Sequence, residues 1–261
     1  MIGIFDSGLG GLTALKEAIR LMPNESFVYF GDTGRVPYGT RSRDTIIQYT
    51  EQALRFFVSH NVSSVLAACG TVSSVALEAV KQRYPFPIIG VVDGAAKAAV
   101  KSSESKKIAV IGTAATVSSG SFEKAVKKLS PDAQTLGVAC PLFVPLVENG
   151  FISPDDAVTL EVAKRYLQPI KDFCADTLIL GCTHFPIISE TIKKVLPSVT
   201  LINSGYEAAH ALLEQTETQP DKSGAVEFYV SDNPENFSSV ASIFLGEDFC
   251  GGVKTVEIQN Y

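Results

Sequence analysis

Short apolar runs alternate with longer amphipathic stretches along most of the chain. The runs predicted as strands are 2–5, 26–30, 64–68, 87–91, 107–111, 134–138, 177–180 and 199–202, with two more at 226–230 and 253–258. Most of the early runs are fully apolar rather than alternating, the pattern of parallel strands covered on both faces. Between them apolar residues recur at helical spacing, as at Leu12, Leu15 and Ile19. Helices are predicted over 11–21, 43–60, 72–83, 121–129, 154–173, 187–196 and 207–215. Strand–helix alternation of this kind predicts an α/β fold, with mostly parallel sheets flanked by helices and right-handed crossovers. The loosest stretches are 101–107 and 215–224, and no low-complexity linker divides the chain.

A weak internal repeat suggests two similar lobes. Each half holds a strand that ends in a cysteine, closely followed by threonine: A-A-C-G-T at 67–71 and L-G-C-T-H at 180–184. The expected division is 1–93 with 207–261 in one lobe and 94–206 in the other.

The chain has 261 residues, 46% hydrophobic and 19% charged, with a formal net charge of −6. Those values fit a globular protein with ample core and argue against a nucleic-acid or anionic-membrane surface. The first residues show no basic targeting segment, and no apolar run is long enough to span a bilayer, so a cytoplasmic chain is expected. The five cysteines are an odd number with no C-x-x-C pair. Free thiols in a reducing compartment are expected, and no metal site.

Cys69 and Cys182 are the informative residues. A buried cysteine is most often an inert small hydrophobe. These two stand where a strand gives way to a helix, where terminal N–H groups lower a thiol pKa. Thr71 and Thr183 follow them as hydroxyl donors. Cys140, Cys174 and Cys250 lack this context and read as packing or surface residues. The segment F-D-S-G-L-G-G at 5–11 follows the first strand. It reads equally well as a ligand loop or as a turn capped by Asp6. Thr13 stands where a dinucleotide fingerprint needs its third glycine, which excludes that motif. The loop after the second strand, with Asp32, Arg35 and Tyr38, leaves surface loop and ligand loop both open. His184 is placed to polarise a thiol or to bond the backbone at a helix start, and Glu148 stands out in an apolar stretch. His60 and His210 read as structural.

Together these segments resemble the glutamate racemases of bacterial cell-wall synthesis. The resemblance is carried by F-D-S-G-L-G-G at 5–11, G-D-T-G-R-V-P-Y-G at 31–39, A-C-G-T at 68–71, I-G-T-A-A-T-V-S-S-G-S-F at 111–122, F-V-P-L-V-E-N-G at 143–150 and G-C-T-H-F-P at 181–186. It implies two lobes with the active site in the cleft between them, and two-thiol racemisation of glutamate without a cofactor. The product D-glutamate would serve peptidoglycan synthesis. The matching catalytic residues are Cys69 and Cys182, assisted by Asp6 and His184, with Glu148 as a helper to His184. The substrate-binding matches are Asp6, Ser7, Tyr38, Gly39, Gly70, Thr71, Thr113, Thr183 and His184. A homodimer is a further implication, with glutamate as the only other partner.

One departure from that pattern is Gly70, where the family usually has asparagine. The lost amide is expected to leave room for a water molecule and to raise KM, and Gly70→Asn is expected to lower it again. Two alternatives stay open: a racemase of a related amino acid such as aspartate, and a non-catalytic two-lobed amino-acid-binding protein.

Overall fold

The computed structural model describes residues 1–216, 224–245 and 251–261. The strands are β1 (Ile2–Asp6), β2 (Phe27–Gly31), β3 (Ser64–Ala67), β4 (Ile88–Gly90), β5 (Lys107–Gly112), β6 (Gln134–Ala139), β7 (Thr177–Leu180), β8 (Thr200–Asn203), β9 (Val226–Val230) and β10 (Val253–Thr255). The helices are α1 (Leu12–Leu21), α2 (Arg43–Ser59), α3 (Gly70–Val75), α4 (Leu77–Val80), α5 (Val91–Ser102), α6 (Ala114–Ser119), α7 (Ser121–Leu129), α8 (Phe143–Glu148), α9 (Ala157–Phe173), α10 (Ser189–Val195), α11 (Ser204–Gln215) and α12 (Pro234–Leu245).

The strands form two all-parallel sheets. One has six strands in the order β10-β9-β2-β1-β3-β4, the other four in the order β6-β5-β7-β8. Central strands β1, β2, β3 and β7 are buried at every residue, which is why they read as unbroken apolar runs. The fold is thus α/β with two parallel sheets, as expected from the alternation.

The chain crosses between the sheets twice. Helix α5 leaves β4 and packs on β7 and β8, and α11 leaves β8 and packs on β3 and β4. The two helices also pack on each other, with α1 against α11. Their buried faces are small: Ala95, Ala96 and Ala99 on α5, and Gly205, Ala208 and Ala209 on α11. Small side chains let the backbones approach, and a single apolar core runs from Ile4 through this layer to Ile179. A second core, with Phe5, Phe30, Phe56 and Phe57, covers the opposite face of the six-stranded sheet under α2.

Several local expectations are corrected. The helix expected over 72–83 is two short helices, α3 and α4, followed by a 3-10 turn at Lys81–Arg83. Thr71, Val72, Val75 and Val80 are β-branched and weaken a helix there. The strand expected over 253–258 ends at Thr255, and Ile258–Asn260 is a 3-10 turn. Helix α9 begins at Ala157 rather than 154, where the Asp156 side chain accepts from Thr159 N. Cys250 and much of the loose stretch 215–224 lie outside the described residues.

Candidate active site

In both sheets the first strand in sequence has its successors on opposite sides. β1 lies between β2 and β3, and β5 lies between β6 and β7. Parallel sheets open a crevice at such a reversal, beyond the strand C-termini. Asp6, Cys69, Thr113 and Cys182 all stand at or just past those ends. The tertiary fold brings the two crevices together.

The closest approach is made by backbone. A Cβ built on Gly70 would stand 2.0 Å from the Gly181 carbonyl oxygen and 3.7 Å from the Cys182 Cα. One built on Gly10 would strike the Thr183 hydroxyl and the His184 ring, and one on Gly39 would strike Thr113. The room expected beside Gly70 for a water molecule is therefore filled by Gly181. The φ angle of Gly70 lies outside the left-handed region, so close contact is what calls for glycine there.

Cys69 and Cys182 are both free and buried. Cys69 caps α3, and its thiol donates to the Ser7 hydroxyl at 3.4 Å. Burial, reinforced by the nearby Asp6 carboxylate, pushes the Cys69 thiol up to about 12, despite the Ser7 and Val72 N–H hydrogen bonds. The lowered thiol expected at a helix start is thus reversed for Cys69, because α3 is short and desolvation outweighs its N–H groups. Asp6 is itself raised by burial, against the pull of His184, and accepts from Gly8 N at 2.8 Å.

Cys182 has a different neighbour. Its sulfur lies 3.9 Å from His184 Nδ1, while His184 Nε2 meets Glu148 Oε1 at 2.9 Å. Burial alone would discharge the imidazole. The hydrogen bonds to Cys182 and Glu148 and their charges outweigh it, and hold His184 up at about 10. Thr183 lies 3.5 Å from Asp6 Oδ1 and 3.4 Å from His184 Nδ1, which links the two thiol environments.

A trio of hydroxyls crosses the cleft beside Cys69. Thr71 meets Thr113 at 3.0 Å and Thr116 at 3.5 Å, and Thr113 meets Thr116 at 3.0 Å. Sequence reasoning did not single out Thr116. The T-x-x-T spacing at a helix start was its signal, since Thr113 caps α6 through Thr116 N. It also missed the role of Thr13, whose hydroxyl is 2.8 Å from the Gly10 carbonyl and 3.0 Å from that of Thr183.

Tyr38 is buried in the same cluster as Cys69 and is tied to the second-strand loop. Its hydroxyl donates to Asp32, which also accepts from Arg35 Nε at 2.7 Å and Ser231 Oγ at 2.7 Å. At its far end the loop brings Gly39 against Thr113. Cys140 is buried and Cys174 exposed. His60 packs on Phe56, and His210 on Tyr206. Among the described residues, no group of three His, Cys, Asp or Glu side chains could hold a metal ion, and no helix is long and apolar enough to cross a membrane.

The strand-end loops of two parallel sheets thus meet, each carrying a free, buried thiol. The chain belongs to the Asp/Glu/hydantoin racemase family, whose model matches residues 8–212. The chain is similar to glutamate racemases over nearly its whole length. It is 41% identical over 247 residues to the glutamate racemase of Aquifex aeolicus, across 95% of this chain and 94% of the relative. The crystal structure of glutamate racemase from Francisella tularensis in complex with D-glutamate matches with a TM-score of 0.91 and 35% identity, covering 100% of this chain and 98% of that one. Glutamate racemase from Thermus thermophilus in complex with beta-chloro-D-alanine matches with a TM-score of 0.89 and 39% identity, covering 100% and 98%.

Proposed function

We propose that the chain is an isomerase that interconverts L- and D-glutamate, with Cys69 and Cys182 on opposite faces of the substrate Cα. The observation that carries this reading is that two free, buried thiols stand on loops at the strand ends of separate sheets, and that these loops meet through Gly70 and Gly181.

The chemistry follows from the unequal surroundings of the thiols. The Cys69 thiol, pushed up to about 12, holds its proton at neutral pH and is ready to donate. Cys182 has in His184 a partner able to hold its proton as an imidazolium. A Cys182 thiolate takes the Cα proton of L-glutamate: the C–H bond breaks, an S–H bond forms, and the electron pair spreads into the α-carboxylate. The Cys69 thiol then delivers its proton to the opposite face, which gives D-glutamate and a Cys69 thiolate. Exchange with solvent resets both sulfurs, and D-glutamate runs the same steps backwards. A positioned acid or base supplies roughly 10²–10⁴-fold. The hydroxyls of Ser7, Thr71, Thr113 and Thr183 and the N–H groups of the 5–11 and 38–39 loops are the donors for the substrate carboxylates.

The same proposal divides the lobes near residues 93 and 206, at the two crossings. It places the enzyme in the cytoplasm as a source of D-glutamate for peptidoglycan. It also includes a homodimer, supported by the exposed apolar Leu142, Phe151 and Val158, and size measurement by light scattering tests that part.

The deciding experiment is circular dichroism of each glutamate enantiomer with the wild type, Cys69→Ser and Cys182→Ser. Turnover by the wild type and a loss of at least a hundredfold in each variant are expected, on the scale of removing one half of a paired acid–base device. In deuterium oxide, Cys69→Ser is expected to retain Cα exchange from L-glutamate far better than from D-glutamate. Full activity in either serine variant would refute the two-thiol reading. Turnover of aspartate without glutamate would overturn only the substrate.

A further inference from the structure

Phe244 belongs to α12, which follows β9 of the six-stranded sheet, while His184 follows β7 of the four-stranded sheet. The two rings nonetheless meet, with centroids 5.3 Å apart and planes at 88°. Phe244 is 2% exposed and His184 6%. The imidazole also faces Cys182 and Thr183 through Nδ1, Glu148 through Nε2, and the backbone of Gly10.

We propose that Phe244 is a positioning residue for the Cys182 half of the reaction: supplied by the opposite lobe, its ring covers His184, holds the imidazole between Cys182 and Glu148, and keeps water away from that pair. The titratable groups around the imidazole are Cys182 and Glu148, with the Asp6 carboxyl also within its field. Helix α12 adds only apolar side chains at its buried face, namely Phe237, Ala241 and Phe244. Attraction within a charged pair weakens as the local dielectric rises. Without the phenyl ring, water reaches the imidazole, the attraction that aligns it with Cys182 and Glu148 weakens, and the imidazole is free to turn. The cover comes from across the cleft, so it is complete only when the lobes are closed. That couples readiness of the Cys182 base to closure.

This assignment rests on the two-thiol reading above, and its test separates the two. The enantiomers have equal free energy, so kcat/KM in the two directions must fall together. The half-reactions are therefore read by isotope. Deuterium at Cα of L-glutamate slows the Cys182 step, and deuterium at Cα of D-glutamate slows the Cys69 step. Phe244→Ala is expected to lower kcat/KM by roughly ten- to a hundredfold, the scale of a misplaced catalytic group. It is also expected to raise the isotope effect from L-glutamate and lower that from D-glutamate. Lower activity with both isotope effects unchanged would mark Phe244 as ordinary packing and overturn the proposal. Should the alanine variant fail to fold, Phe244→Leu decides, since it keeps apolar volume and removes the ring. The same directions of change support the proposal, and wild-type behaviour overturns it. A wild type inactive on glutamate would strike at the proposed function instead.

Discussion

At position 70 a single methyl group separates two accounts of the site. Read as a lost amide, Gly70 should be improved by asparagine. Read as a contact, it should not, because any Cβ there runs into the Gly181 carbonyl at 2.0 Å. Backbone cannot step aside as the end of a side chain can, so relief must come from parting the lobes and hence the thiols. Gly70→Ala and Gly70→Asn are therefore both expected to lower kcat/KM by roughly ten- to a hundredfold, with folding retained. Steady-state assays with both enantiomers check this, and a lower KM in Gly70→Asn would restore the lost-amide account. The identities of Cys69, Cys182, Asp6 and His184 as candidates were legible from their positions at strand ends. The protonation of Cys69 and His184 was not, because burial decides it together with groups distant in sequence, Asp6 and Ser7 for Cys69, and Glu148 beside the near neighbour Cys182 for His184. Tyr38 shows the converse: its motif was visible, but only the fold turns its hydroxyl to Asp32.

At the scale of elements, the central strands were the most legible feature, since burial on both faces writes an unbroken apolar run. Helices with one wet face, such as α1, α2 and α9, were nearly as clear. Helix α12 escaped although it carries a stripe at Phe237, Ala241 and Phe244; the others that escaped lack one. Helix α5, V-V-D-G-A-A-K-A-A-V-K-S, packs between other elements on small residues and carries Gly94 against the backbone of Glu207. Helices α6 and α8 have six residues each, too few to show a period. Helix α11 is anchored at its start by Asn203, whose side chain accepts from Gly205 N at 3.0 Å and Tyr206 N at 3.2 Å. Removing such a cap costs about 1 kcal/mol. Asn203→Ala is expected to lower the unfolding free energy by about that amount in urea titration. A loss near zero would mean that packing of α11 against α1 and α5 holds its first turn unaided.

For the molecule as a whole, buried groups set the response to pH. His184 is raised from 6.5 to about 10, so its contribution to stability is full below about 6.5 and is lost as pH rises through about 10. Cys69 is raised from 9.0 to about 12, so the unfolded chain releases that proton first and stability declines further between those values. Asp176 is lowered from 3.8 to about 2, because hydrogen bonds from Ser103, Ser105 and Thr177 outweigh its burial. Its contribution is present above about 3.8 and lost as pH falls through about 2. Thermal unfolding across pH is therefore expected to show an alkaline decline that weakens in His184→Gln, and a slope there identical to the wild type would contradict the His184 assignment. By itself the amino-acid order determined the alternation of strands and helices, the parallel sheets and the two cysteine turns, because each depends on periods and breaks within a few residues. Only the tertiary structure decided that the two turns touch through Gly70 and Gly181, that α5 and α11 cross between sheets, and that Phe244 reaches His184. Those contacts join residues about 60 to 110 positions apart, and no local pattern encodes a distance that exists only once both sheets are folded and facing each other.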